Sequence, residues 1–460
     1  MSDNQQKSIN WVAVFTMFAL YGMISFVTNL AAPMGNVWVL QKGIDGSNML
    51  GMMGNMMNFA AYLFMGIPAG KMLTKLGYKK TALIAIATGF VGVAIQYISG
   101  LVPAAADGNA VKPFCVYLLG AFVCGFSVCM LNMVVNPMLN LLGGGGNKGN
   151  QLNLIGTTFN SMCGTATPML VGALIGQVTK DTKVADVNLV MYIALAVFAA
   201  AFVILQFIKI EDPEATSTKE DIPVLAPLKF QHCLLGVIAI FMYVGVEVGI
   251  PGTMNLWLSP QGGPLAKIGA DNPAATAGMV VGTYWLLMLV GRTIGAFIGG
   301  KVSSRLMMIV TTFTAIVLIV LGTQLTDATT TMPVFTGKKF VMAQVPVTAL
   351  LFALCGLCTS IMWPSTFNLA TEKLGKYTAA ASGLFMVMVV GGGVLPLVQN
   401  GIADALASGT RDQAGAVTNC AQFTKAFMLA YLVPVIALAY MFCYSAFFSK
   451  PPKNIDDLVK

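Results

Sequence analysis

The sequence predicts an all-α membrane protein of twelve transmembrane helices, arranged as two pseudo-symmetric six-helix halves. Three observations predict it. Apolar stretches long enough to cross a bilayer, which takes roughly 20 helical residues, recur along almost the whole chain, beginning with WVAVFTMFALYGMISFVTNLAAP at 11–33. Of the 460 residues, 57% are hydrophobic and only 10% are charged, with a mean hydropathy of +0.77; soluble domains carry about a quarter charged residues. Short motifs also stand at equivalent places in the two halves of the chain.

The apolar stretches place spans at 11–33, 49–70, 80–101, 113–142, 153–178, 187–208, 231–258, 274–299, 305–325, 341–371, 377–401 and 422–448. The polar start MSDNQQKSIN leads straight into the first span, so no cleavable signal sequence is expected. An even number of spans puts both termini on one side. Of the 26 Lys and Arg, sixteen fall on the side of the termini, nine on the other and Arg292 within a span. Positive charge accumulates on the cytoplasmic side, so both termini are expected in the cytoplasm. The net charge of +8 is scattered over short loops, which fits membrane orientation better than nucleic-acid binding.

Between spans six and seven, KIEDPEATSTKEDIPVLAPLKFQ holds two acidic clusters and three prolines and nothing able to build a core. The chain therefore divides into an N-terminal half at 1–208, a cytoplasmic linker at 209–230, a C-terminal half at 231–448 and a cytoplasmic tail at 449–460. Each half repeats features of the other. IPAGKMLTKLGYKKT after span two matches GAFIGGKVSSRLMM after span eight in its glycine and lysine at the helix end, with a basic residue four positions on (Lys71 with Lys75, Lys301 with Arg305). NPMLNLLG in span four corresponds to WPSTFNLATEKLG in span ten, and GTATPMLVG in span five to GGGVLPLVQNG in span eleven. Parallel six-helix repeats are the build of secondary transporters, with the site at the midplane between them.

Here a resemblance can be named. The loop after span two is similar, in degenerate form, to the signature loop of the major facilitator superfamily, GxxxDRxGRR, with Gly70, Lys75 and Gly77 at its glycine, basic and glycine positions and Thr74 where an acid belongs. FMYVGVEVGI, GRTIG, MWPSTFNLATEKLG, GGGVLPLVQNGIAD and NPMLNLLG followed by TTFNSMCG resemble segments of the fucose (glucose/galactose):proton symporter family. That resemblance implies the major facilitator fold, a monosaccharide substrate and proton symport in a bacterial inner membrane. It also implies an acid in span one and another in span four. Those positions here are Asn29 and Asn132, which cannot release a proton.

Ionisable groups in hydrocarbon are costly and mark function. Within these spans only Glu247 and Arg292 lie deep. Glu247 precedes Pro251 and Gly252, a pair expected to break or bend the helix and expose carbonyls; it is the candidate proton-coupling residue, the alternative being an acid that fixes helix packing. Arg292 lies about two turns from the cytoplasmic end of span eight, where it could snorkel or cap inner helix ends. It is assigned with Lys71, Lys75, Pro251 and Gly252 to gating or structure.

The first half offers stripes of polar residues: Tyr21, Ser25 and Asn29; Asn55, Asn58 and Tyr62; Asn132, Asn136 and Asn140; Thr157, Asn160 and Ser161. Residues three or four apart share a helix face, and amides both donate and accept hydrogen bonds, which suits a neutral polyol. The competing reading is hydrogen bonding between helices. Asn29, Asn132, Asn136, Thr157, Asn160, Tyr243 and Trp363 are the substrate-binding candidates, Trp363 as a ring for the apolar face of a sugar. Trp257 fits either a platform or an interfacial aromatic belt.

Other motifs carry less. Cys355 and Cys358 form a CxxC inside an apolar run with no second pair, so packing is expected rather than metal or redox chemistry. GGGGNKGN at 143–150 lacks the GKS/GKT of a phosphate loop and reads as a cytoplasmic loop. No catalytic pair, metal site or cofactor is expected, and the chain reads as a monomer and not an enzyme. The leading reading is alternating-access transport of a neutral monosaccharide, with or without a proton. The alternatives are an uncoupled facilitator of a sugar or another small polar solute and, from another class, a non-transporting solute sensor.

Overall fold

Hydrocarbon leaves each backbone N–H and C=O to be satisfied within its own segment, so a chain of apolar stretches folds as helices. The computed structural model describes residues 10–44, 47–142, 146–175, 187–208, 223, 225–298, 302–335, 339–374, 377–412 and 415–452. Its helices are α1 (Trp11–Trp38), α2 (Asn48–Gly51), α3 (Met53–Ser99), α4 (Val111–Leu142), α5 (Gly146–Ile175), α6 (Asn188–Phe207), α7 (Gln231–Leu258), α8 (Pro264–Lys267), α9 (Pro273–Ile298) and α10 (Ser304–Gln324). Strands β1 (Thr329–Phe335) and β2 (Phe340–Pro346) follow, then α11 (Val347–Thr359), α12 (Met362–Thr371), α13 (Thr378–Met388), α14 (Gly391–Leu406), α15 (Cys420–Ala430) and α16 (Leu432–Cys443).

These make twelve crossings among the described residues, because α3 is two spans in one run. Gly77 at φ 78 turns the chain between them, a backbone region that glycine enters without penalty. The basic loop is thus one tight turn, and the helix before it runs past residue 70. Ten of the crossings are long and apolar enough to span a membrane on that ground alone. The other two, residues 53–76 and α5, carry Asn55, Asn58, Thr157 and Asn160.

The last three crossings are each built from two helices. Pro364 and Pro434 fall in the first turn of α12 and α16, where the missing N–H has no intrahelical acceptor to lose. The joint between α13 and α14 precedes the glycines Gly391, Gly392 and Gly393. Span ten differs from its expected bounds: residues 341–346 are β2, paired antiparallel with β1 from Thr329–Pro346 to Phe335–Phe340, and the helix starts at Val347. The β-branched and aromatic residues of TTTMPVF and FVMAQVP favour paired strands over a helix there. Helix α5 starts seven residues earlier than expected, so the glycine-rich loop ends by residue 146. Most of the expected linker, 209–222 and 224, and the tail from 453 lie outside the described residues.

One continuous apolar core runs through both halves. Helix α5 packs on α9, α3 on α13 and α14, and α1 on α7, so the halves meet along the length of the bundle. Within the second half, three tyrosines of the last span reach the carbonyls of α7: Tyr431 to Ile250 at 2.9 Å, Tyr440 to Leu235 at 3.0 Å and Tyr444 to His232 at 3.0 Å. Cys355 and Cys358 are free and buried on α11.

Close helix approach decides where glycine is obligatory. A methyl group at Gly125 of α4 would overlap the backbone carbonyl oxygen of Asn58, which cannot move aside, whereas one at Gly383 of α13 would meet nothing within 4 Å. Gly125→Ala is expected to destabilise the folded protein by about 1–3 kcal/mol through overpacking, and Gly383→Ala to leave it unchanged or raise it by up to about 1 kcal/mol. Thermal unfolding of the two variants in detergent checks the contrast; equal melting would refute this account of the α3–α4 crossing.

Candidate functional site

Proline is the starting point of the site. Pro251 has no N–H, so the carbonyl of Glu247 four residues earlier loses its helical donor. Helix α7 nevertheless continues through Pro251 and Gly252, both buried, because the Tyr284 hydroxyl of α9 donates to the Glu247 carbonyl at 3.1 Å. The expected break is therefore a filled gap. Tyr284 is itself fixed by the Thr359 hydroxyl at 3.0 Å. Pro396 of α14 does the same to Gly392, and the vacated carbonyl takes the amide of Asn55, from the other half of the protein, at 2.7 Å.

The side chain of Glu247 meets Arg292. The guanidinium does not run out to the membrane face; it turns into the bundle. One of its nitrogens donates to the Thr157 carbonyl at 3.0 Å and to the Ser161 hydroxyl at 2.7 Å, and another reaches Glu247 Oε1 at 3.4 Å. The two ionic side chains are 15% and 16% exposed. Arg292 thus binds α5 of the first half more closely than its own ion-pair partner on α7. One cation and one anion in contact leave the region without net charge.

Aromatic rings surround the pair. Tyr243, one turn before Glu247, is buried, with its hydroxyl beside the Glu247 carboxylate. Its ring lies 6.1 Å from that of Trp363, which is half-buried on α12. Trp285 stands edge-on to Tyr284 at 5.4 Å. It also faces α5 at Gly164, the glycine against which Ser25 and Asn29 of α1 pack.

The polar residues of the first half are more dispersed. Asn29 donates to Ser25 of its own helix at 2.9 Å, Asn132 to the Tyr62 hydroxyl at 2.8 Å, and Asn160 to the Tyr21 carbonyl at 3.1 Å. These bonds spend amide donors on helix packing, while the side-chain oxygen Oδ1 of Asn58 is buried with no partner among the described residues. The side chains of Asn136, Asn140 and Lys75 lie outside the described residues, and Lys71 is exposed at the end of its span. Trp257 is fully buried, with its indole N–H on Thr424 at 3.2 Å, so it does not belong to an interfacial belt. Gly252 packs against Met52 of the other half.

The structure therefore brings together Tyr243, Glu247, Arg292, Thr157 and Trp363, and leaves Asn132 on a separate contact. The sequence reading missed Tyr284, Trp285 and Asp404. Pro251 signals a vacant carbonyl, but which helix supplies the donor is a tertiary fact. Asp404 lies beyond the apolar run that ends at 401, whereas α14 continues to Leu406.

The family profile of the Major Facilitator Superfamily matches residues 9–397. The chain is 28% identical over 403 residues to a glucose/galactose transporter of Brucella abortus, covering 85% of this chain and 84% of that one. It is 23% identical over 424 residues to the L-fucose-proton symporter of Escherichia coli, covering 86% and 84%. The crystal structure of the Escherichia coli fucose:proton symporter has a similar fold, with a TM-score of 0.62 and 18% identity over 94% of this chain and 98% of that one.

A charge left without its partner in a bundle interior is expensive. Arg292→Ala is expected to lower stability by about 3 kcal/mol, and the double variant Arg292→Ala/Glu247→Ala to recover part of that loss. Unfolding of both variants in detergent is the measurement. If the double variant melts no higher than Arg292→Ala, the carboxylate does not depend on the guanidinium.

Proposed function

The chain belongs to the major facilitator superfamily, and from that premise we propose that it carries a neutral monosaccharide, a hexose or deoxyhexose, across the cytoplasmic membrane by alternating access, with Glu247 as the proton-binding group. The observation that carries this reading is the Glu247–Arg292 pair fastened to α5 of the opposite half. The names of the relatives, glucose/galactose transporter and L-fucose-proton symporter, support the substrate class.

The chemistry supports a neutral solute. Since Arg292 and Glu247 offset each other, an ionic solute gains no net attraction, while the Tyr243 hydroxyl beside Glu247 can accept from a sugar hydroxyl and the Trp363 ring can take an apolar C–H face. Thr157, Asn160 and Asn29 would complete the wall from the first half; Asn132 and Asn136 stay candidates by their place in span four. Protonation of Glu247 removes the charge that holds Arg292 toward α7, leaving the arginine on Thr157 and Ser161 of α5. Proton occupancy thereby changes the link between the halves, which is what coupling requires. Pro251, Gly252 and Lys71 serve packing and gating. The positive-charge bias supports cytoplasmic termini, and the proposed working unit is a monomer.

One observation favours a second reading. Asn29 and Asn132 stand where the resembled family implies acids, so the chain could instead be a uniporter in which the ion pair is structural. Uptake of radiolabelled hexoses and deoxyhexoses into proteoliposomes, with and without an imposed inward proton gradient, separates the two. Symport is expected: accumulation above equilibrium only with the gradient, abolished in Glu247→Gln while equilibrative exchange persists. Equal equilibration in both conditions would establish the uniporter, and no hexose or deoxyhexose flux at all would sink the monosaccharide assignment.

A further inference from the structure

A second polar cluster joins the halves far from Glu247, on the face opposite the termini. Asp404, near the end of α14, reaches across to the segment between the first two spans. Its Oδ1 accepts the backbone N–H and the side-chain amide of Asn48, both at 2.7 Å. Its Oδ2 accepts the backbone N–H of Met49 at 2.6 Å and the Ser47 hydroxyl at 3.0 Å. The carboxylate of one half therefore caps α2 of the other, satisfying N–H groups that a helix start leaves without an acceptor. Ser47 caps the same turn from within, accepting the Leu50 N–H at 3.1 Å.

Arg411, in the loop after α14, closes the arrangement by donating to the Asn48 side-chain oxygen at 2.9 Å while lying 5.2 Å over the ring of Phe423. Burial pushes the Arg411 guanidinium down to about 10, against the pull of the Asp404 carboxylate, and it remains charged at neutral pH. A second clasp stands beside it: Asn36 of α1 donates to Asn255 and Ser259 at the end of α7, the latter at 3.1 Å. Beneath the two clasps Met52 is fully buried against Gly252.

We propose that Asp404 is the gate residue of the face opposite the termini: the four bonds it accepts from Ser47, Asn48 and Met49 hold the halves together there and close the central site to that side. The proposal rests on the alternating-access reading but not on the identity of the solute or on proton coupling. Bonds to a charged acceptor are the strong ones, and all four must break together for α14 to part from α2. Asp404 therefore carries the largest single share of the polar contacts on this face, with Arg411 and the Asn36 clasp beside it.

The test needs no sugar, so its failure is separate from failure of the transport assignment. Met52→Cys reports the closed face and Val387→Cys, whose parent side chain packs on Gly66 of the other half toward the termini, reports the opposite one. Each is combined with Asp404→Ala or Asp404→Asn, and labelling by a membrane-impermeant maleimide is followed by peptide mass spectrometry in vesicles of both orientations. Losing charge-assisted bonds shifts a two-state balance by roughly tenfold or more. Met52→Cys labelling is expected to rise by about that factor in Asp404→Ala, less in Asp404→Asn, with Val387→Cys labelling falling in step. Unchanged labelling at Met52→Cys, or a rise at both reporters together, would overturn the proposal, the latter because it signals general loosening. Hydrogen exchange of the 47–52 backbone in Asp404→Ala, without either cysteine, is expected to accelerate by a similar factor; unchanged exchange counts against the gate as well.

Discussion

The absence of water in hydrocarbon is the constraint on which the rest of this structure depends: a backbone group that loses its helical partner must find another inside the protein. Proline creates such vacancies, and the fold answers them with side chains from neighbouring helices. Tyr284 fills the one left by Pro251, and Asn55 fills the one left by Pro396. Each answer fixes a helix contact. Asn55 links the two halves, and Tyr284 places its helix, and with it Arg292 two turns further on, against α7. The ion pair is in this sense downstream of a missing N–H.

Electrostatics then divides the labour along the bundle. Near its middle, Arg292 is shared between a carboxylate of its own half and two acceptors of the other, so a change of charge at one residue alters a bond between halves. Toward the face opposite the termini, Asp404 accepts only from the other half, from two backbone N–H groups and two side chains, which fixes position strongly. The first arrangement can respond to a proton or a solute. The second favours a single closed geometry.

The fold was legible in the sequence because membrane helices announce themselves by length and apolarity, and because GTATP and GGVLP recur at matching depths of the two halves. The hairpin at 329–346 was not, since its apolar β2 ran on into the apolar start of α11 and hydropathy does not distinguish the two. Of the site, Glu247 and Arg292 were legible by charge, but their pairing was not, because they are 45 residues apart on different helices. The asparagine stripes show the limit of periodicity: it marks a shared face, yet Asn132 and Asn160 face tyrosines of adjacent helices. Asp404 escaped because three residues of helix beyond an apolar run look like loop.

The antiparallel ribbon between α10 and α11 has a consequence of its own. Its seven residue pairs are anchored by the buried Met332, Val334 and Val345 against α9 and α11 and leave Phe340 and Met342 exposed. Among the described residues this ribbon is the one sheet in an otherwise helical protein, and it keeps an exposed face. Such a feature is a ready epitope: an antibody fragment raised against it would add ordered mass to a small membrane particle and supply the rigid landmark by which images of it could be aligned.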